Sequence, residues 1–460
     1  MHETTITRSS KMMYTAQTPS PAGVRKAVIA SIVGTIIEWF DYALYGTAAS
    51  LILNKIFFPD LSDTASVLAA FATFAVGFFV RPLGGVVIAH LGDRFGRKPA
   101  LIFSISLMGA GTVAIGLLPT YAQIGIMAPI LLVLMRMVQG FGAGAEYAGA
   151  VTLVYEYAPP QQRGFYTSML QSATLVGILL AVLTFLGVSQ LSEEALSSWG
   201  WRLPFLSSAV LFVVALYIRQ QLDETPEYLQ AAERAKALKE THKLPLKTLL
   251  KRYPKQLTYG FLAVTGHNAN VYILSAFGLS YMTNTLNINR SDALWISLLA
   301  SFCGVLTTPL MGWLADRLGA SKIYIFGAGF AALFAYPLFA LIDSGNLLLA
   351  TIGLCLGFSI SFGAMAGAQG LLLADLFPTE LRFSGISVAR ELNSMLIAGP
   401  TPFICTLLVG WAAGSSTYVS AYLALCCIVS IFAVVKLRSE QPIIGRNFTE
   451  GNESTKLSRP

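Results

Sequence analysis

The stretch Gly92-Asp93-Arg94-Phe95-Gly96-Arg97-Lys98 sets four charges and two glycines in seven residues between two long apolar runs. It reads as a tight polar turn joining two membrane helices. A weaker copy, Ala315-Asp316-Arg317-Leu318-Gly319-Ala320-Ser321-Lys322, recurs 223 positions on. A second echo sets Glu156-Tyr157-Ala158-Pro159-Pro160-Gln161-Gln162-Arg163 against Asp375-Leu376-Phe377-Pro378-Thr379-Glu380-Leu381-Arg382, 219 positions apart. Two echoes at nearly one offset point to a chain of two related halves.

Composition agrees with a membrane chain. Of 460 residues, 55% are hydrophobic and 12% charged, about half the charged share of an ordinary soluble domain. Twelve runs are apolar and long enough to cross a bilayer, which takes about 20 residues: 27–53, 64–90, 99–118, 124–149, 164–189, 201–219, 257–283, 293–315, 322–342, 347–374, 384–410 and 417–437. With both termini in the cytoplasm, the cytoplasmic loops and tails hold 25 of the 31 Lys and Arg. The opposite loops hold only Lys55, Arg202 and Arg290, so the positive-inside rule sets the orientation. The expected fold is all-α, with twelve transmembrane helices in two pseudo-symmetric six-helix halves. The expected organisation is a tail over 1–26, a first half over 27–219, a linker over 220–256, a second half over 257–437 and a tail over 438–460. Tyr228 to Lys239 suggests a charged helix within the linker, and the second tail is polar enough to be expected disordered.

The basic balance of +7 does not point to nucleic acid, because the Lys and Arg sit in short inter-helix loops and gather on no one face. Cys303, Cys355, Cys405, Cys426 and Cys427 all lie in apolar runs and read as free packing thiols. No spacing of His, Cys and carboxylates fits a metal site, and no nucleophile or cofactor constellation marks an enzyme. No cofactor is expected. The first 22 residues carry no cleavable leader pattern, which leaves the first helix as the insertion signal.

Charges inside spanning helices cost about 2.5 to 3.5 kcal/mol each at the bilayer centre, so each needs a partner or a wet cavity. Glu38 and Asp41 stand three apart on one face of the first helix, with Tyr42 and Tyr45 beside them. Two clustered carboxylates repel, which favours holding a proton on one of them. A structural ion pair is the plainer alternative for either acid. Arg81, followed by Pro82, Gly84 and Gly85, reads as a basic residue beside a bend, with a side chain able to snorkel toward the neighbouring loop. Arg136 lies mid-run in the fourth helix. Gly140, Gly142, Gly144 and Gly149 read as close helix packing and not as a phosphate loop, since no strand precedes them, and Glu146 among them reads as a gate or cavity group. His267-Asn268-Ala269-Asn270 breaks the apolarity of the seventh run. Arg390-Glu391-Leu392-Asn393 does the same in the eleventh, and Gly399-Pro400-Thr401-Pro402 is expected to break or bend that helix.

The run Arg136-Met137-Val138-Gln139-Gly140-Phe141-Gly142-Ala143-Gly144-Ala145-Glu146, with Glu38-Trp39-Phe40-Asp41-Tyr42-Ala43-Leu44-Tyr45-Gly46 and Arg81-Pro82-Leu83-Gly84-Gly85, resembles the major facilitator superfamily, in its metabolite:proton symporter branch. The resemblance covers nearly the whole chain and names no substrate. It implies that Arg136 is tied to a proton site and a solute cavity. It also implies a secondary transporter of the inner (plasma) membrane, importing a small organic acid or similar polar metabolite with protons by alternating access. A proton-antiport exporter of a drug or siderophore is the alternative. The partners are then a small-molecule solute, protons and the lipid bilayer, for a chain acting as a monomer. On this reading Asp41, Glu38 and Arg136 couple protons. Tyr42, Tyr45, Arg136, Asn268, Arg390, Glu391 and Asn393 meet the solute. Asp93, Arg94, Arg97, Asp316, Arg317, Arg163 and Arg382 latch the cytoplasmic side. The Arg390-Glu391 pair departs from the aromatic or amide residues expected there in better-known members, and so marks a subgroup with its own ligand.

Overall fold

The computed structural model describes residues 21–95, 97–144, 146–220, 245–378 and 381–440. Residues 1–20 and 441–460 of the expected tails and the charged helix expected over Tyr228 to Lys239 lie outside them, while 21–26 and 438–440 extend the first and last helices. Among the described residues the elements are helical throughout. Twelve stretches can be followed: α1 over 21–57, α2 Asp63–Phe95, α3 Arg97–Leu117, α4 Met127–Tyr157 with Ala145 outside the described residues, α5 Arg163–Val188 and α6 Arg202–Gln220. The second set is α7 over 254–285, α8 Arg290–Leu318, α9 Ala320–Asp343, α10 Leu347–Ala374, α11 Arg382–Trp411 and α12 Thr417–Glu440.

The twelve runs read from sequence differ in quality as helices. Among the described residues nine helices are continuous, long and apolar enough to span a bilayer. The sixth run joins a short preceding helix at a 46° bend beside Trp201, and the third keeps an apolar core only over Ile102–Leu117. The seventh is interrupted at Val264 and widens to π-type turns at Ile273–Phe277 and Tyr281–Thr285. That helix also carries Thr265, His267, Asn268 and Asn270, all buried. Groups of this polarity are stable at membrane depth only where neighbouring helices satisfy them. Gly399 and Pro400 turn α11 after a π-type stretch at Ser394–Ala398, a bend without a break in the span.

Consecutive helices alternate direction, so the bundle has a near end, where α1 begins, and a far end. The halves meet along α1, α2, α4 and α5 on one side and α7, α8, α10 and α11 on the other. Apolar side chains outside this seam face outward, among them Leu333 at 82% exposed, Trp411 at 70% and Val210 at 67%. An exposed belt of this size needs hydrocarbon around it.

Small residues set the closest approaches. A Cβ on Gly140 would stand 1.9 Å from the Gly77 carbonyl oxygen, and one on Gly144 2.1 Å from the Arg81 carbonyl oxygen. Helices α2 and α4 therefore pack backbone to backbone, and Gly142 meets α3 at Ser104 and Met108 in the same way. The packing role read for these glycines holds. Gly149 is looser, meeting only the Phe383 ring at 3.4 Å. All five cysteines are free. The Cys303 and Cys355 sulfurs, 3.8 Å apart, are far beyond the roughly 2.05 Å of a disulfide.

Candidate functional site

Glu38 and Asp41 share a helix face but have different partners. Asp41 is fully buried and serves the first half alone. Thr112 of α3 donates to one carboxylate oxygen, and the Gln139 amide of α4 donates to the other at 2.6 Å. Gln139 also donates to Thr112 at 2.9 Å. Arg136, one turn before Gln139, donates to the Gln139 side-chain oxygen and, at 3.1 Å, to the Phe74 carbonyl. Its guanidinium lies 4.2 Å from the Tyr45 ring centre and 5.4 Å from that of Tyr42, a cation–π arrangement. Gly77 leaves room for it, since a Cβ there would stand 2.8 Å from Arg136 Nη2. The cation and the carboxylate are thus linked through one amide.

Glu38 instead takes the structural ion pair. Arg81 donates to it at 2.8 Å and, across the seam, to Glu391 of α11 at 2.7 and 3.3 Å. Arg81 is 2% exposed, and does not snorkel toward the loop as the sequence allows. Burial with two carboxylates outweighs reaching water, because a desolvated guanidinium needs full pairing. Arg390 donates to Glu391 at 3.1 Å and stands 3.5 Å over the Tyr147 ring of α4.

The residues read as solute-contacting fall into three groups. Tyr42 lines a central cavity of about 30 Å³ together with Trp39, Thr47, Tyr272, Ser275 and Ser301. Tyr45 and Arg136 lie behind it in the first half. Asn268 donates to Asn393 at 2.7 Å, and Asn393 donates to the Phe261 carbonyl and to Thr265, each at 2.8 Å. The two asparagines therefore tie α7 to α11 within the second half, and Arg390 and Glu391 belong to the Arg81 network. His267 packs against Phe362 with ring centres 5.1 Å apart, and its Nδ1 has no hydrogen-bond partner among the described residues. Among the described residues no group of three His, Cys, Asp or Glu could hold a metal ion.

Hydrogen bonds join the two halves beyond both ends of the cavity. At the far end Ser50 donates to the Ala276 carbonyl, and Asn284 donates to the Ser50 carbonyl, each at 2.8 Å. At the near end Asp316 accepts from the Gly164 and Phe165 amides at 2.6 and 2.9 Å. Tyr155 donates to Asp375 at 2.6 Å, between the guanidinium groups of Arg163 and Arg382. Arg382 also pairs with Glu156 at 3.0 Å. Of the expected latch, Asp316, Arg163 and Arg382 thus lie on the seam. Arg317 does not: it is exposed, 3.9 Å over the Trp313 ring of its own helix. The side chains of Asp93, Arg94 and Arg97 lie outside the described residues.

Two residues of the Asp41 group, Thr112 and Gln139, were not singled out from sequence. Gln139 carried a signal, an amide one turn from a buried arginine. Thr112 carried none.

A family model described as MFS/sugar transport protein matches residues 149–410, and one described as sugar (and other) transporter matches residues 26–248. The shikimate transporter of Escherichia coli K12 is 36% identical over 92% of this chain and 97% of its own length. The chain belongs to the major facilitator superfamily of solute transporters. The inner membrane metabolite transport protein YhjE of E. coli K12 is 39% identical over 89% of this transporter and 93% of that protein. The E. coli K12 proline/betaine transporter is 34% identical over 92% and 85%. A solved structure of the proton:xylose symporter XylE bound to 6-bromo-6-deoxy-D-glucose superposes with a TM-score of 0.71 at 18% identity, covering 91% of this transporter and 95% of that chain. At that identity the likeness speaks for the fold, twelve helices in two six-helix halves. This multi-pass membrane protein is a transporter and not an enzyme.

Proposed function

We propose that this transporter imports a small polar solute bearing a carboxylate, driven by protons, by alternating access across the inner membrane with both termini in the cytoplasm. The observation that carries the proton reading is Asp41: a fully buried carboxylate, directly followed in the chain by the cavity residues Tyr42 and Ala43, held by two neutral donors and, among the described residues, by no direct cation. A carboxylate in that setting gains or loses a proton without breaking an ion pair, and the positive charge of Arg136 follows through Gln139. Relatives named for shikimate, proline and betaine support a carboxylate-bearing solute. Trp39 Nε1 and Tyr42 Oη, without hydrogen-bond partners among the described residues, are the polar atoms a solute would meet first. The two ends then serve as alternate gates, with the Asp316, Arg163 and Arg382 contacts on the cytoplasmic side.

The test is uptake into proteoliposomes from a panel of organic acids and betaines, with and without an inward proton gradient. Accumulation of at least one acid that collapses with the gradient is expected. Gradient-independent equilibration of every solute on the panel would overturn the proton coupling, and gradient-driven expulsion would reverse the direction.

A further inference from the structure

Arg81 touches both halves. Its Nη2 donates to Glu38 at 2.8 Å and to the Ala143 carbonyl at 3.3 Å, both in the first half, and its Nε donates to Glu391 of the second at 2.7 Å. Glu391 in turn accepts from Arg390, its own neighbour on α11. Four charges therefore form one chain, Glu38 to Arg81 to Glu391 to Arg390. The seam cuts it at its middle bond. Arg81 lies seven residues, about 10 Å of helix, nearer the near end than Phe74, which lines the cavity.

We propose that Arg81 couples the two halves during transport, as a clamp that divides into two neutral pairs when the near end opens. Separation breaks the Arg81–Glu391 contact and leaves Arg81 with Glu38, and Arg390 with Glu391. Neither half carries away an unpaired charge. Glu146 of α4, in the first half, and Arg390 of the second both lie within electrostatic reach of Glu38. A buried ion pair is costly chiefly when one partner is lost, so a network that splits pair by pair lowers the cost of opening. Arg390 is then a positioning residue: it keeps Glu391 compensated after Arg81 withdraws. The Asp41 group has no such part, since its bonds all stay within the first half.

The inference rests on the alternating-access reading, but its test needs neither solute nor proton gradient. Spin labels are placed through genetically encoded amino acids at Gln162 and Leu318, exposed near-end positions in opposite halves. Distance distributions are then recorded in solute-free nanodiscs. Arg390→Gln removes the partner that would accompany Glu391, and should cut the near-end-open population on the order of tenfold, the effect of leaving one charged group unsatisfied. Adding Glu391→Gln to that variant removes the stranded charge, and should restore the open population to the wild-type level or above. Arg81→Lys, which cannot bridge two carboxylates as a guanidinium does, should raise it, and serves if the other variants do not fold. An open population unchanged in Arg390→Gln, or a double variant no more open than the single one, would overturn the clamp, as would an unchanged distribution in Arg81→Lys. Failure of the Asp41 experiment below would leave all three outcomes standing.

Discussion

Asp316, in the last turn of α8, accepts the backbone amides of Gly164 and Phe165 at 2.6 and 2.9 Å and so caps the start of α5 from the opposite half. The helix receiving the cap begins at Arg163, and its first amides have no partners within the helix. A carboxylate there meets both those donors and the positive end of the helix dipole. One side chain thus completes a helix across the seam, and on the proposed reading it also latches the near end.

Replacing it should separate conformation from binding. A lost cap of this kind costs about 0.5 to 2 kcal/mol, and here the cost falls on the near-end-closed state alone. Asp316→Ala is expected to raise the near-end-open population roughly 2- to 30-fold while solute affinity in the occluded state is kept. Arg317→Ala, one residue on but stacked outward on Trp313, should change neither. Label distances and equilibrium binding on the same samples check this, and equal loss of both in folded Asp316→Ala would sink the latch.

Asp41→Asn keeps the shape and the donors around Thr112 and Gln139 but removes the titrating group. A pH difference of one unit alone supports about tenfold accumulation for one proton per solute. In the variant that accumulation should fall to simple equilibration, while exchange of labelled for unlabelled solute at equal pH persists. Proteoliposome assays with shikimate and with proline as probes read both quantities. Full accumulation by the variant would remove Asp41 from the coupling.

The glycines of α4 offer a graded test of the fold. A Cβ at Gly140 meets the backbone of α2 at 1.9 Å, whereas at Gly149 it meets only a ring edge at 3.4 Å. Overpacking costs about 1 to 3 kcal/mol where side chains can move and more where they cannot. Gly140→Ala is expected to lower the thermal unfolding midpoint sharply or to prevent folding, and Gly149→Ala to leave it within a few degrees. Similar midpoints for the two would contradict the α2–α4 contact.

The fold was legible because its causes are local. Apolar length, basic loops and two echoes near one offset are properties of contiguous sequence. The site was legible only in part. Glu38, Asp41, Arg136, Arg390 and Glu391 stood out because a charge in an apolar run is costly wherever it lies. Their pairing did not, since Arg81 and Glu391 stand 310 positions apart and nothing local says that one faces the other. Arg81 near a bend next to a polar loop offered a route to water, and only the packed seam shows that it takes the buried one. Thr112 is a threonine among many, and acquires its meaning from the carboxylate opposite.

The solute's charge is the property these contacts bear on most directly. The membrane interior holds four acids, Glu38, Asp41, Glu146 and Glu391, against three bases, Arg81, Arg136 and Arg390. With every group ionised the balance is one negative charge, and an anionic solute entering the cavity meets net repulsion. Arg81 and Arg390 are engaged with Glu38 and Glu391; of the two remaining acids, Asp41 is reached by Arg136 only through Gln139, and the proposed reading places the transported proton on it. On the proposed reading, once Asp41 is protonated these seven groups sum to zero charge, and Arg136, behind the cavity wall, is the cation offered to a solute carboxylate. Affinity for a carboxylate-bearing solute should therefore rise as pH falls, with the bound proton and the bound anion each favouring the other by the same factor. In Arg136→Lys, the ammonium cannot reproduce the fork that meets Gln139, the Phe74 carbonyl and an incoming carboxylate together, so binding should weaken on the order of tenfold, the effect of one charge-assisted hydrogen bond. Arg390→Lys should act less on binding than on opening, because Arg390 serves Glu391. Equilibrium binding of shikimate and of proline to purified wild type and both variants, from mildly acidic to mildly alkaline pH, decides between these roles. An affinity for both probes that does not rise with acidity would remove Asp41 from the solute's path, and a larger loss in Arg390→Lys than in Arg136→Lys would move the carboxylate's partner to the second half.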